Sequence, residues 1–111
     1  MLIEVRTDAT IEGSEQSSAE VKAEVLAALD HYGDHIRRVD VHLSDAVGHK
    51  TGHDDKSCMI EARRDGREPI VVTHRENTIE KAIRGAIHDL KRSVESALGK
   101  EAARDHRRDH H

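Results

Sequence analysis

The apolar residues between Ile79 and Leu98 recur every three or four positions, which is the pattern of one continuous helix face. At 3.6 residues per turn this stripe covers about six turns, and no strand pattern fits a period of this kind. Asn77 or Thr78 is placed to cap the helix, and Gly99 is predicted to end it. The residues of the stripe are Ile79, Ala82, Ile83, Ala86, Ile87, Leu90, Val94, Ala97 and Leu98.

A second amphipathic helix is predicted over residues 14–32. Val21, Val25, Leu29 and Tyr32 recur at spacings of four, four and three, while the positions between them are mostly polar. Ser14 or the serines at 17 and 18 can supply its N-terminal cap, and Gly33 is predicted to stop it.

Four short segments have the character of strands. The first is an apolar run at residues 2–5, and the other three lie at residues 39–44, 58–63 and 70–73. A loop at residues 45–56 and an Asp65-Gly66 turn separate the last three, and Pro69 leads into the final strand.

The resulting order is β-α-β-β-β-α, an α+β fold. Its first βαβ unit predicts a right-handed crossover and a parallel first pair of strands, and the hairpins add antiparallel strands. The prediction is a four-stranded mixed sheet with both helices packed on one face. Residues of the other face, pointing outward, are Asp40, His42, Met59, Glu61 and Arg63.

The chain is long enough for one domain only, because 111 residues cannot build two separate cores. We assign this domain to residues 1–99 and a disordered, charged, His-rich tail to residues 100–111. The sequence contains no Phe, no Trp and one Tyr, so Val, Ile, Leu and Ala must form the core. Cys58 lies in an apolar run and is interpreted as a buried, inert thiol. With neither a membrane-spanning run nor a signal peptide in this sequence, a cytoplasmic protein is expected.

Basic residues are concentrated on the last helix. Lys81, Arg84, His88 and Lys91 follow one another at spacings of three, four and three, and Arg92 lies beside them. This surface could bind phosphates through charge without reading bases. The alternative is a solvated helix face, neutralised by the intrahelical pairs Glu80–Arg84 and Lys91–Glu95. Secondary basic candidates are Arg37 and Arg38.

The charge balance argues against a general nucleic-acid binder, because the formal net charge is −4. Eight acidic and two basic residues precede position 37, whereas sixteen basic and fourteen acidic residues follow from there. The charge is therefore unevenly distributed along the chain.

Catalytic and metal chemistry are weakly supported. A metal site could be built from His49, His53, Asp54 and Asp55, but a glycine-flanked loop without a cysteine pair orders such ligands poorly. No phosphate-binding loop or nucleophile elbow occurs. We expect no enzyme, no cofactor, no metal and no small-molecule substrate.

Three stretches of the sequence resemble a known family. Residues 28–36 are similar to the end of its first helix, residues 39–43 to the strand that follows, and residues 77–94 to its last helix. The family is that of the ribosome hibernation-promoting factors and ribosome-associated inhibitors, also called sigma-54 modulation proteins, and this chain resembles its short form.

This resemblance implies a stress-related translation regulator that binds the small ribosomal subunit and its 16S rRNA and keeps ribosomes inactive. It implies RNA contacts by Arg92 and the neighbouring basic residues of the last helix. Two basic positions of the family fall here on Ala28 and Asp89. The alternative is therefore a related domain that has lost rRNA affinity and serves as a protein-interaction or regulatory module. The oligomeric state is not specified by the sequence.

Overall fold

The computed structural model describes residues 1–7, 18–45 and 56–108, with side chains as far as Arg104. Its elements follow the order β-α-β-β-β-α, as predicted. They are β1 (Leu2–Thr7), α1 (Ser18–Leu29), β2 (Arg38–Asp45), β3 (Lys56–Arg63), β4 (Ile70–Glu76) and α2 (Ile79–Arg108), with a single 3-10 turn (Asp30–Tyr32) after α1.

The strands form one mixed sheet in the order β1-β2-β3-β4. β1 and β2 are parallel, with Ile3 opposite Val39, and the two later pairs are antiparallel. Gly66 adopts a positive φ of 70° in the turn between β3 and β4, a conformation that glycine reaches without steric cost. The predicted mixed α+β fold is therefore confirmed.

Alternation along the strands separates the two faces of the sheet. In β2, Val39, Val41 and Leu43 are buried, whereas His42 between them is exposed. The helices cover the face that carries these valines, so the other face is left uncovered by any described element. We call this uncovered surface the open sheet face; it carries Leu2, Glu4, Arg6, Arg38, Asp40, His42, Ser44, Ser57, Met59, Glu61, Arg63, Val71, Thr73 and Arg75.

Between the sheet and the helices lies an aliphatic core, as the lack of Phe and Trp required. The buried residues are Val21, Val25, Leu29, Ile36, Val39, Val41, Leu43, Cys58, Ile60, Ala62, Ile79, Ala82, Ile83, Ala86, Leu90 and Val94. Burial raises the pKa of the Cys58 thiol to about 12. This cysteine is therefore a protonated core residue at neutral pH, as expected.

The predicted limits of the first helix were partly wrong. α1 ends at Leu29, and residues 30–32 continue as the 3-10 turn instead of an α-helix. Gly33 follows in a right-handed conformation, with φ −57° and ψ −31°, and its amide donates to the Asp30 carbonyl. The helix is closed by a tightened last turn rather than by a left-handed glycine. Ser14 and Ser17, two of the predicted caps, lie outside the described residues.

For the second helix, the start was predicted correctly and the end was not. Thr78 caps α2, because its Oγ1 accepts a hydrogen bond of 3.1 Å from the Lys81 amide. Gly99 does not end the helix, which continues to Arg108. An interior glycine costs only about 1 kcal/mol relative to alanine, so good helix formers after it can carry the helix onward. Residues 100–108 are thus helical, residues 109–111 lie outside the description, and a domain boundary after residue 99 stays a prediction.

All four strands are longer than predicted, and β4 exceeds its predicted range by the most. β4 continues through His74 to Glu76, because half-buried and exposed side chains go on alternating to the end of the strand. His74 and Glu76 both lie on the sheet face that α2 covers. At the other end of the sheet, Lys56 in β3 forms an ion pair of 2.8 Å with Asp45 in β2. The loop candidates for a metal site, His49, His53, Asp54 and Asp55, lie outside the described residues.

Candidate nucleic-acid interface

Five basic residues lie together on the outer surface of α2, as the sequence predicted. This surface, which we call the helix ridge, consists of Lys81, Arg84, His88, Lys91 and Arg92. All five are exposed, because the buried stripe of the helix lies on the opposite side of its axis.

Within the described part of the chain, no ion pair within 4.0 Å neutralises the cations of the helix ridge. In particular, neither the Glu80–Arg84 nor the Lys91–Glu95 pair of the alternative interpretation is formed. Glu95 instead interacts with Tyr32, whose pKa is raised by burial and then by the charge and hydrogen bonding of this carboxylate. The ridge therefore presents cations that a polyanion can reach.

Arg37 and Arg38 are not part of this surface. Arg37 follows the 3-10 turn and contacts Asp65 at 3.2 Å, with both side chains exposed. Arg38 lies on the open sheet face, on the other side of the molecule from α2, and binds Asp40. The seven predicted site residues thus divide into one group of five and two separate arginines.

The charges on the open sheet face are largely paired with one another. The Nε of Arg38 donates to both carboxylate oxygens of Asp40 at 3.0–3.1 Å, and Nη2 donates to Oδ1 at 2.9 Å. This hydrogen bonding lowers the pKa of Asp40 against the opposing effect of burial, and the charges of Arg38, Arg63 and Arg6 add to it. Arg63 also lies 3.6 Å from Glu61. Among its described residues the face carries no Phe, Tyr or Trp on which bases could stack.

The sequence analysis missed a charged cluster where β4 meets α2. The Nδ1 of His74 lies 2.9 Å from Asp89 Oδ2, and its Nε2 lies 2.8 Å from Glu76 Oε2. Two carboxylates on two ring nitrogens favour the doubly protonated imidazolium, since both nitrogens can then donate. The pKa of His74 is accordingly raised, first by the hydrogen bond to Glu76 and then by that to Asp89.

This cluster explains two unusual positions on α2. Asp89, where the family resemblance would place a basic residue, is used to hold His74. Gly85 lies against the same imidazole, and a Cβ at this position would come within 2.3 Å of the ring atoms. A histidine on one strand and a carboxylate fifteen residues later gave no sequence signal, because only tertiary packing brings them together.

The cluster predicts a pH-dependent contribution to stability. A group whose pKa is raised in the folded state stabilises fully below its unfolded pKa, about 6.5 for histidine, and this contribution is lost as the pH rises through the folded value. We therefore expect His74→Gln to lower the free energy of unfolding more at about pH 5.5 than at about pH 8.5. Urea unfolding followed by far-ultraviolet circular dichroism at the two pH values measures the difference.

His35→Gln is the matched control, because His35 is exposed and its pH dependence should follow the wild type. An equal loss of stability for His74→Gln at both pH values would show that the imidazolium contributes nothing beyond packing.

A second interaction that the sequence did not indicate fixes the C-terminal part of α2. Nη1 of Arg64, directly after β3, donates to both oxygens of Glu101 at 2.8 and 3.0 Å, and Nη2 donates to the Glu68 carbonyl. The Arg64 side chain is only 8% exposed. Arg67 approaches the same carboxylate at 3.7 Å. Hydrogen bonding to Arg64 lowers the pKa of Glu101 against the cost of burial, with further contributions from the charges of Arg64, Arg67 and Arg104.

Metal sites and membrane-spanning helices are both absent from the ranges 1–7, 18–45 and 56–108. No group of three or more His, Cys, Asp or Glu side chains there is arranged to hold a metal ion. No helix in these ranges is long and apolar enough to cross a bilayer.

Fold and surface together define a class of protein: a small α+β domain with two helices on one face of a mixed sheet and a cationic surface on the last helix. The chain belongs to the Sigma 54 modulation protein / S30EA ribosomal protein family, whose model matches residues 3–101. The resemblance noted in the sequence is therefore confirmed.

Solved structures support the same architecture. The N-terminal domain of Protein Y from Thermus thermophilus superposes with a TM-score of 0.61 at 23% identity, covering 85% of this chain and 96% of that one. A ribosomal subunit interface protein from Coxiella burnetii gives a TM-score of 0.63 at 14% identity, covering 89% and 99%. A comparison with curated protein sequences gives no significant match.

Proposed function

We propose that this protein binds the small ribosomal subunit through the helix ridge, contacts phosphates of 16S rRNA and keeps ribosomes inactive under stress. It acts in the cytoplasm by occupying the ribosome, and it catalyses no reaction. The family match and the ribosomal subunit interface protein among the similar structures support ribosome binding. The observation that carries the choice of surface is the set of exposed cations on α2 without carboxylate partners among the described residues.

An acidic molecule can bind a polyanion when its charges are segregated, and the structure separates them in this way. On the open sheet face Arg38 is paired with Asp40 and Arg63 with Glu61. Two carboxylates of α2, those of Asp89 and Glu101, contact His74 and Arg64. Because affinity for phosphates depends on the local arrangement of Lys and Arg, a net charge of −4 does not prevent it.

Cosedimentation with ribosomes tests the proposal. Wild-type protein should bind at low salt, and the triple variant Arg84→Ala/Lys91→Ala/Arg92→Ala should bind roughly a hundredfold more weakly if each lost contact costs about 1 kcal/mol. The slope of log affinity against log salt should also fall by roughly two to three, because each phosphate contact contributes about 0.7–0.9.

The matched control removes the same charge from the open sheet face by the substitutions Arg6→Ala/Arg63→Ala/Arg75→Ala. It should retain wild-type affinity. Equal weakening of both triple variants would mean that net charge alone drives association, and the proposed surface would be wrong. Absence of wild-type binding at low salt, with a defined protein recovered instead, would favour the alternative of a protein-interaction module.

A further inference from the structure

A groove runs along the second half of α2, beside the helix ridge and on the side of the helix that faces away from α1. Its polar lining consists of Arg92, Ser93, Ser96, Lys100 and Arg104, together with the carboxylates of Asp89 and Glu101. Residues 92 to 104 span about 18 Å along the helix axis at 1.5 Å per residue. The groove exists because α2 continues past Gly99.

Both carboxylates of the groove already have cationic partners on the sheet side. Asp89 binds His74 at 2.9 Å, and Glu101 binds the buried Arg64 at 2.8 Å with Arg67 at 3.7 Å. The hydrogen-bonded partner of each carboxylate therefore lies on the sheet side, and of the groove cations Arg104 adds its charge to those acting on Glu101.

The three cations of the groove remain accessible. Arg92, Lys100 and Arg104 are exposed, and none of them lies within 4.0 Å of a carboxylate in the described part of the chain. Ser93 and Ser96 add hydroxyl groups that can donate to an anionic oxygen. Apart from Ala97, the described lining residues are polar or charged, and their cations and hydroxyl groups can bind an anionic ligand.

We propose that this groove binds phosphates of an RNA strand, so that the RNA-binding surface continues from the helix ridge onto the C-terminal part of α2. The inference rests on the proposed function, since it extends the same polyanion contact. Arg92 joins the two surfaces, and Lys100 and Arg104 are its new contributors. The chemistry required is that of a phosphodiester backbone, recognised through charge and hydroxyl donors without base readout.

The test uses the full chain with the substitutions Lys100→Ala/Arg104→Ala, which leave every residue of the helix ridge in place. Affinity for ribosomes should fall about thirtyfold, and the salt slope should fall by about 1.5, because two phosphate contacts are lost. Arg6→Ala/Arg75→Ala removes the same charge from the open sheet face and should change neither quantity. Ser96→Glu, which places a carboxylate in the groove without removing a cation, should also weaken binding.

A second measurement separates this inference from the ribosomal role. Titration of the labelled wild-type protein with a short oligouridylate should shift the backbone NMR signals of Arg92, Ser96 and Arg104 and leave those of the open sheet face unchanged. Such shifts without ribosome binding would support the groove and refute the proposed function. If wild-type protein binds ribosomes and Lys100→Ala/Arg104→Ala binds with the same affinity and salt slope, the groove is refuted alone. If neither ribosomes nor the oligonucleotide bind, both proposals are refuted.

Discussion

Leu90→Ala is expected to lower the free energy of unfolding by about 3 kcal/mol, within the 2–5 kcal/mol range of buried Leu→Ala changes. Leu90 is fully buried at the middle of α2, in the core between that helix and the sheet. The surrounding core is rich in Val and Ile, whose branched side chains are restricted at χ1 and adjust poorly to a cavity. For a domain of this size, with a total stability of roughly 5–15 kcal/mol, such a loss is a large fraction.

Leu26→Ala is the matched control, because it makes the same chemical change on the other helix at a side chain that is 47% exposed. It should cost no more than about 0.5 kcal/mol. Urea unfolding should be followed by far-ultraviolet circular dichroism, since the chain has no Trp as a fluorescent probe. Similar losses for both variants would contradict the placement of Leu90 at the centre of the core.

The parts of the fold that the sequence predicted are those in which a periodic pattern coincides with burial. Val39, Val41 and Leu43 alternate and are buried, and the stripe that includes Ile83 and Leu90 is the buried face of α2. These patterns carry information because a shift by one residue would expose the entire apolar set. The order of the elements and the four strands of the sheet were predicted from these patterns.

The errors occur where a glycine was interpreted without its tertiary surroundings. Gly99 was expected to end α2 but lies inside it. Gly33 does follow the end of the first helical segment, but in a right-handed conformation. A glycine permits a left-handed conformation but does not require one, so neighbouring contacts decide. Two positions after Gly99, Glu101 binds Arg64, which is thirty-seven positions away in the sequence, so no local pattern indicates this contact.

For the candidate site, the grouping of Lys81, Arg84 and Lys91 on one helix face could be predicted from spacing alone. Spacing alone could not predict whether these cations are neutralised, because their possible partners include carboxylates on other elements. The structure assigns Asp89 to His74 and Glu101 to Arg64, which removes two carboxylates from competition for the cations of α2. In the sequence these two acidic residues count against polyanion binding. In the structure they hold α2 to the sheet.

Arg64→Met is expected to lower the free energy of unfolding by about 2 kcal/mol and to loosen the end of α2. The methionine keeps most of the buried stem, but the two hydrogen bonds to Glu101 and the one to the Glu68 carbonyl are lost. Glu101 then keeps the longer contact to Arg67 and the nearby charge of Arg104. Amide hydrogen exchange at residues 100–104 should accelerate more than exchange at residues 82–94, because the latter are held by the core.

Arg67→Met is the matched control, since Arg67 approaches the same carboxylate but is 44% exposed. It should cost at most about 0.5 kcal/mol. Because the pKa of Glu101 is lowered in the folded state, the contribution of the Arg64 pair is present above the unfolded value of about 4.3 and is lost as the pH falls through the folded value. The difference between Arg64→Met and wild type should therefore shrink in acid. A difference that stays constant with pH, or equals that of Arg67→Met, would show that this ion pair does not hold the C-terminal part of α2 in place.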